Sequence, residues 1–179
     1  KHQLNVISKS TATHSTLVLD NTSNVKFERN KHGHYLVNKN FKILKKEIRS
    51  EKYYWLIKVS HDSYLKSCGV VHERQLKYFH DGHRIEGCDK LIKQKKFKSC
   101  SFAIRFHLLP EINLTKLINK ESILIESKNA GWKFTSKNHK IDIEKGLYFG
   151  MKNKYTENKN IIISGLTSPA EQNIYWEIS

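Results

Sequence analysis

Apolar and polar residues alternate along most of this chain, and no apolar stripe with helical spacing accompanies them. Residues 53–60 and 102–109 show the alternation best, because every second position in each is apolar or aromatic. Turn-forming residues separate such segments at roughly 8–12-residue intervals, which is typical of a β-sandwich. The pattern therefore predicts an all-β fold, an antiparallel β-sandwich.

Two segments depart from the strand pattern. Residues 21–31 are mostly polar and predict a loop, whereas residues 115–120 form the only plausible helical turn. Segment 41–49 ends in charged residues and is interpreted as a basic edge strand. The predicted strands are 14–20, 35–37, 41–49, 53–60, 70–79, 83–92, 102–109, 122–126, 131–135, 140–144, 147–152, 161–164 and 174–178.

The strongest local signal is a hairpin centred on Asp81-Gly82, because both turn positions must tolerate positive φ. Residues 70–79 and 83–92 flank this turn as two strands, and His61 lies shortly before the first of them. Polar and basic residues line one face of the hairpin. Such a face forms either one wall of a site or a wet outer surface of a sheet.

Two pairs of basic residues carry the candidate chemistry. His72 and Arg74 are two positions apart, so on a strand both side chains point to the same face. Arg105 and His107 repeat this spacing in segment 102–109, opposite the apolar positions. If the hairpin and segment 102–109 pair in one sheet, the four side chains form a basic cluster on its polar face.

This cluster has two interpretations. In the first, it contacts carboxylates or sulfates of an acidic sugar chain, and His61 belongs to the same substrate-binding wall. In the second, the four side chains form cross-strand ion pairs that stabilise the sheet by a few tenths of a kcal/mol each. The strand register decides between them, and the alternation does not fix it. The acidic partners in the second case are Asp62, Glu73, Glu86 and Asp89.

The charge of the chain favours an acidic partner. The 179 residues carry a formal net charge of +15, which attracts nucleic acid, anionic membranes or acidic polysaccharides. However, 27 of the 32 cationic residues are Lys, and Arg is preferred where carboxylates or phosphates are bound bidentately. A solvated lysine-rich surface is therefore the alternative to a dedicated polyanion site. No apolar run approaches the ~20 residues of a membrane-spanning helix, so no membrane partner is expected.

The cysteines and the paired loop histidines do not match a common metal-binding or disulfide motif. Cys68, Cys88 and Cys100 are too scattered for a disulfide framework or a zinc-binding pair, although Cys68 and Cys88 flank the hairpin and could approach each other. His32 and His34 suggest a metal pair without a third ligand, and we interpret them as exposed loop residues. No phosphate-binding loop, nucleophile elbow or zinc-protease motif is present, which argues against those enzyme classes.

An ordered set of short segments resembles the heparinase II/III-like family of polysaccharide lyases. The family pattern S-H-D-G-Y, H-x-R-x-L, D-G, G-E-D corresponds here to SHDSY, VVHERQL, DG and GCD. Further matches are STATHSTLVLD, FAIRFHLLP, GWKF and LYFG, so the resemblance covers most of the chain. Three positions differ from the pattern: Lys9 replaces an arginine, Cys88 an acid and Leu109 a histidine.

The resemblance implies that the chain is the C-terminal β-sandwich of a longer protein with a helical toroid upstream. The family's chemistry is β-elimination on a uronic acid, in which a base removes the C5 proton and an acid assists departure of the C4 oxygen. Its catalytic Tyr and Asn belong to the helical part, and its catalytic His lies earlier in the sandwich. The chain, which begins at Lys1, is thus expected to support substrate binding and to be inactive alone. A periplasmic or secreted location is also implied.

A metal role for His14 is implied by the same resemblance. STATHSTLVLD resembles a family segment whose histidine binds zinc in characterised relatives, together with a His and an Asp from strands that would precede Lys1. A single imidazole does not hold zinc tightly, because structural sites use about four ligands. We therefore expect zinc in the longer protein, none bound tightly to this chain, and a His14 ring at an open, polar edge.

The alternative function is a non-catalytic β module that binds nucleic acid. Aromatic residues interleaved with basic strands would suit base stacking and phosphate contact. Against this, alternating aromatic positions on strands are more often core, and no ribonucleoprotein-type motif is present. The aromatic residues in question are Tyr53, Tyr54, Tyr64, Tyr78, Phe79 and Phe97.

Overall fold

The computed structural model describes residues 6–29, 31, 35–39, 41–80, 82–94, 96–118, 121–150 and 154–179. Strands dominate it, and its short helical elements include the 3-10 turn Thr11–Thr13 and the four-residue helix α1 (Leu65–Cys68). The strands are β1 (Leu17–Leu19), β2 (Val25–Arg29), β3 (Tyr35–Lys39), β4 (Ile43–Ser50), β5 (Tyr54–His61), β6 (Val70–Phe79), β7 (Ile85–Lys93), β8 (Ser101–His107), β9 (Asn113–Lys116), β10 (Ser122–Glu126), β11 (Gly131–Lys137), β12 (Ile141–Tyr148), β13 (Thr156–Leu166) and β14 (Gln172–Ile178).

Two antiparallel sheets form a β-sandwich, as predicted. The smaller sheet has the strand order β1-β8-β13-β12, and the larger has the order β4-β5-β6-β7-β14-β11-β10-β9. Strands β2 and β3 form a separate pair. The predicted hairpin is the β6–β7 pair, and the predicted basic edge strand is β4, at one end of the larger sheet. Among the described residues, no helix is long and apolar enough to cross a membrane.

The core lies between the facing sides of the two sheets. Strand alternation explains its composition, because only every second residue points inward. Phe106 of the smaller sheet packs edge-to-face on Phe134 and Trp176 of the larger, with ring centroids 4.7 Å apart in both pairs. Gly87 faces Trp176 across the β7–β14 pair, and a Cβ at position 87 would collide with the indole ring.

The larger sheet extends beyond the smaller one at its β4–β5 end. The register places Ile48 and Ile57 side by side, yet both are exposed. Trp55 is also 53% exposed, whereas Leu56 on the opposite face is buried. The alternation in segment 53–60 therefore predicts the strand correctly but does not identify a core face.

A disulfide joins α1 (Leu65–Cys68) to the start of β8, through Cys68 and Cys100. Gly69 ends the helix at φ 66°, a left-handed conformation that suits glycine. The suggested approach of Cys68 to Cys88 is wrong. Cys88 precedes the inward-facing Asp89 on β7, so its side chain points away from the core where Cys68 is buried, and it is a free thiol.

Three local predictions are also wrong. Residues 21–31 contain β2 rather than only a loop, and residues 115–120 overlap β9, whose pairing with β10 overrides any local helical tendency. The two strands predicted on either side of Gly146 are one strand, β12. Helix α1 is an element that the pattern did not predict. Asp81, His32 and His34 lie outside the described residues.

Reduction of the disulfide is expected to lower the free energy of unfolding by about 3–4 kcal/mol, because the bond closes a loop with a sequence separation of 32. Chemical denaturation with and without reductant would measure this difference. Cys88→Ser is the matched control, and it should respond to reductant as the wild type does. An unchanged stability on reduction would show that Cys68 and Cys100 are not joined.

Candidate functional site

A buried carboxylate organises the inward face of the larger sheet. Asp89 on β7 has no exposed surface. Its Oδ1 accepts hydrogen bonds from His72 Nε2 at 2.7 Å and Arg74 Nε at 2.7 Å. Its Oδ2 accepts from Arg74 Nη2 at 2.9 Å and from Trp176 Nε1 at 3.0 Å. Four donors therefore surround one negative charge, as a buried charge requires.

The register of three strands brings these donors together. Arg74 of β6 lies directly opposite Asp89, and His72 is two residues before Arg74 on the same face. Trp176 comes from β14, the other neighbour of β7. Burial alone would raise the pKa of Asp89, but the Arg74 charge and the His72 and Arg74 hydrogen bonds hold it well below the usual value. The carboxylate is therefore ionised at neutral pH.

A chain of imidazoles leads outward from this carboxylate. His72 donates through Nε2 to Asp89, so its Nδ1 accepts from Nε2 of His61 at 3.1 Å. His61 Nδ1 in turn accepts from the Ser63 hydroxyl at 2.7 Å. Burial, followed by the electrostatic effect of the neighbouring His72, lowers the pKa of His61 from 6.5 to about 4. His61 is consequently neutral at physiological pH.

The second basic pair lies on the outward face of the smaller sheet. Arg105 Nε donates to Glu144 Oε1 at 2.7 Å, and the side chain of Arg105 is 17% exposed. His107 donates through Nε2 to the carbonyl oxygen of Ala12 at 3.1 Å. Burial lowers the pKa of His107, against the smaller, opposing effect of its hydrogen bond to Ala12. Arg105 and His107 line a cavity of about 260 Å³.

The predicted four-residue cluster in one sheet is wrong. His72 and Arg74 belong to the larger sheet and Arg105 and His107 to the smaller, because β8 pairs with β1 and β13 rather than with the hairpin. His72 and Arg74 also point into the sandwich instead of forming an outer polar face. The two pairs nevertheless meet at Ser15. Its carbonyl oxygen accepts from Arg74 Nη1, and its hydroxyl accepts from the backbone N–H of His107 at 3.0 Å.

The predicted site residues therefore differ in what they expose. His72 is only 2% exposed and is committed to Asp89 and His61, and Arg74 forms the cross-strand ion pair of the second interpretation. His61 is half-buried at the outer end of the imidazole chain. Arg105 and His107, by contrast, line the cavity on the outward face of the smaller sheet.

The described residues do not present three zinc ligands around His14. This residue follows the 3-10 turn Thr11–Thr13 and is exposed. Within the described part of the chain, one group of three potential ligand atoms lies within 4.8 Å, from Asp20, Cys68 and Cys100. The two sulfurs form the disulfide and are not thiolates, so this group does not suit zinc either.

Sequence reasoning missed the residues that hold these clusters together. Asp89 entered only as one of four possible acidic partners, and Trp176 and Ser15 did not enter at all. A two-residue turn at Asp81-Gly82 places Asp89 directly opposite Arg74 on the two strands of the hairpin. This pairing was the signal for Asp89. No local pattern indicates Ser15, because its contacts are with strands 59 and 92 residues away.

Asp89→Asn is expected to lower the free energy of unfolding by about 3–5 kcal/mol, because the Arg74 charge would lose its buried partner. Urea denaturation would measure the change. The matched control is Glu86→Gln on the same strand, where the exposed carboxylate should matter by less than about 0.5 kcal/mol. Equal, small effects of both substitutions would contradict the central role of Asp89.

The stability of the protein is expected to fall as the pH drops from about 6.5 to about 4, since His61 binds a proton in the unfolded state but not in the folded one. The contribution is fully present above pH 6.5 and is lost as the pH falls through the folded-state pKa. Urea denaturation across this range should show a smaller decrease for His61→Gln. His80→Gln, at the exposed hairpin end, is the control, and an equal slope for both variants would refute the assignment.

Comparison with known proteins agrees with the pattern of short segments. The family model described as "Heparinase II/III-like, C-terminal" matches residues 1–177. No curated protein sequence matches the chain significantly.

Solved structures with the same fold include a heparan sulfate lyase. The heparan sulfate lyase HepC from Pedobacter heparinus superposes with a TM-score of 0.76 at 15% identity, over 98% of this chain and 25% of that one. A heparinase III gene product with methylated lysines gives a TM-score of 0.70 at 13% identity, over 98% of this chain and 24% of that one. The chain thus spans about a quarter of the length of these lyases. Because the family model covers nearly the whole sequence, the chain belongs to the heparinase II/III-like family and matches its C-terminal part.

Proposed function

We propose that this chain is the β-sandwich part of a lyase that cleaves a uronic-acid-containing acidic polysaccharide by β-elimination, and that it supports substrate binding. Family membership supports the chemistry, and the structural relatives include a heparan sulfate lyase. The observation that carries the binding role is the position of Arg105, whose guanidinium group lies at a cavity on the outward face of the smaller sheet.

Within this proposal, the catalytic Tyr and Asn reside in an upstream helical domain of the same protein, and this chain supplies none of the main catalytic groups. Arg105 and His107 contact the acidic polymer, and His61, which lies on the larger sheet, is a separate predicted contact. His72 and Arg74 act indirectly, since Asp89 holds both of them. The chain alone would not generate the ultraviolet absorbance of an unsaturated uronate product.

The proposal extends to zinc and location. His14 is exposed and would be one of three zinc ligands in the longer protein, which requires a His and an Asp from outside this chain. A buried disulfide persists in oxidising compartments, so the Cys68–Cys100 bond supports a periplasmic or secreted protein.

A second candidate, nucleic-acid binding, draws on one observation. Tyr53 and Trp55 are more than half exposed, and the Lys52 ammonium group lies 5.0 Å from the Tyr53 ring centroid. Exposed aromatic rings beside lysines can stack on bases and contact phosphates. Tyr64, by contrast, is buried in the core.

The binding role is tested by measuring affinity for heparin-like polymer at several salt concentrations. Affinity should fall steeply with salt, because a linear polyanion releases condensed counterions when cationic side chains bind it. Arg105→Ala combined with His107→Ala should weaken binding more than Lys96→Ala combined with Lys98→Ala, which removes two exposed lysines. Arg74 is left intact, because its loss would leave Asp89 without its ion-pair partner.

Three outcomes separate the candidates. A larger loss for the Arg105 and His107 variant supports a defined substrate surface. Equal losses for the two double variants would mean diffuse charge and would contradict the proposal. Tighter binding of single-stranded DNA than of heparin-like polymer at the same salt, abolished by Trp55→Ala, would favour the nucleic-acid candidate.

A further inference from the structure

The core-facing side of the larger sheet is left open where the sheet ends in β5 and β4. Trp55 and Ile57 on β5 share this side with Arg74, because the β6 residues opposite them are two and four positions after Arg74. Ile48 on β4 lies directly opposite Ile57. Ile48 is 65% exposed, Trp55 53% and Ile57 43%. We call the surface formed by Ile48, Trp55 and Ile57 the ledge.

The ledge continues the core surface past the last strand of the smaller sheet. That last strand is β1, and the segment just before it reaches β6, where the carbonyl oxygen of Ser15 accepts from Arg74. Strands β5 and β4 follow β6 in the larger sheet. An exposed apolar patch of this kind marks an interaction site on a soluble protein.

The position of the ledge beside β1 restricts what can cover it. Packed sheets lie about 10 Å apart, so the smaller sheet stands above the ledge by about that height. A flat surface such as a bilayer would meet the smaller sheet before it reached the ledge. A layer of polypeptide fits, because an α-helix is about 10 Å across and a second sheet would lie at the same height as the smaller one.

The two strand edges beside the ledge are poorly suited to pairing with another strand. On β1, the carbonyl oxygen of Leu17 accepts from the Tyr64 hydroxyl at 2.8 Å. The carbonyl oxygen of Leu19 accepts from the backbone N–H of Thr22 at 2.9 Å. Strand β4 has a register shift near its start and two consecutive lysines, and both features obstruct pairing at an edge. A covering segment therefore packs on the ledge through side chains.

The rim of the ledge is cationic. Residues 42–58 contain six lysine or arginine side chains and two glutamates. Glu47 is already paired with Lys45 and Arg49. Lys46 lies two positions before Ile48 on the same side of β4 and has no ion pair within the described part of the chain. A second copy of this chain would bring equal charges together at this rim, whereas an acidic segment would complement it.

We propose that the ledge is the docking surface for a segment of the same protein outside residues 1–179. The segment packs apolar side chains on Ile48, Trp55 and Ile57 and places acidic side chains at the cationic rim. The similar lyases have room for such a segment, since this chain spans about a quarter of their length. The docking surface rests on the proposed function in one respect, because it requires this chain to be part of a longer protein.

The test is hydroxyl-radical footprinting of the longer protein, with the oxidation rate of each tryptophan read by mass spectrometry. Trp55 should be oxidised about tenfold more slowly in the longer protein than in the 179-residue chain, because docking excludes water from its ring. Trp132 on β11 is 37% exposed and lies away from the ledge, so its rate should change by less than about twofold. Trp176 is 7% exposed and should react slowly in both proteins, which reports that the sandwich is folded.

Matched variants of the longer protein locate the contact. Ile57→Asp should return the oxidation rate of Trp55 to that of the 179-residue chain, because docking would bury an unpaired carboxylate. Leu166→Asp is the control, since Leu166 is an exposed apolar residue at the end of β13 in the smaller sheet, and Trp55 should stay slow. A slow Trp176 in both variants shows that neither has unfolded.

Four results would overturn the docking surface. The first is an equal oxidation rate of Trp55 in the longer protein and the 179-residue chain. The second is equal protection of Trp55 and Trp132, which would mean general burial. The third is protection of Trp55 in the 179-residue chain as its concentration rises, which would assign the ledge to a second copy. The fourth is protection of Trp55 in that chain by anionic vesicles, which would assign the ledge to a lipid surface.

The same measurements keep the docking surface separate from the proposed function. Binding of heparin-like polymer is tested at Arg105 and His107, which lie on the smaller sheet. Retained polymer binding with an unprotected Trp55 would overturn the docking surface alone. A protected Trp55 with equal polymer affinities for the two double variants would overturn the binding role alone.

Discussion

The ionised carboxylate of Asp89 is the constraint on which the rest of this sandwich depends. A buried charge is tolerated only when it is paired and fully hydrogen-bonded, and here the donors come from the two strands on either side of β7. Arg74 also donates to the carbonyl of Ser15, which precedes the first strand of the smaller sheet. One guanidinium group therefore fixes both the register within the larger sheet and the position of the smaller sheet against it.

This constraint also decides which basic residues remain available to a ligand. A histidine and an arginine two positions apart on a hairpin resemble the wall of a binding site. In this fold they point inward, where Asp89 and His61 use their hydrogen-bonding atoms. On β8, Arg105 pairs with Glu144, and its Nη1 is buried with no hydrogen-bond partner in the part of the chain that the structure describes. Residues of the same types and spacing thus form a buried ion-pair network on one sheet and line a surface cavity on the other.

The sequence predicts the sandwich, the central hairpin and most strands, because alternation and turn chemistry are local signals. It does not predict which sheet each strand joins, and that decides the site. Strand β8 pairs with β1 and β13 in the smaller sheet, whereas the hairpin belongs to the larger sheet. Arg105 and His107 therefore do not share a sheet face with His72 and Arg74. Cys68 could be matched with Cys88 by hairpin geometry alone, whereas the true partner, Cys100, depends on how α1 packs against β8. Asp89 stands in GCD, one of the segments that resemble the family pattern, but its central role follows only from its tertiary contacts.

The short segment before β1 links the buried network to the surface cavity. Ser15 accepts hydrogen bonds from Arg74 of the larger sheet and from the backbone N–H of His107 of the smaller sheet. The His107 ring donates a hydrogen bond to Ala12, which lines the cavity. The position of this wall is therefore set by residues of both sheets rather than by local sequence. Because Arg74 is itself oriented by Asp89, the shape of the cavity depends on a carboxylate that no ligand can reach.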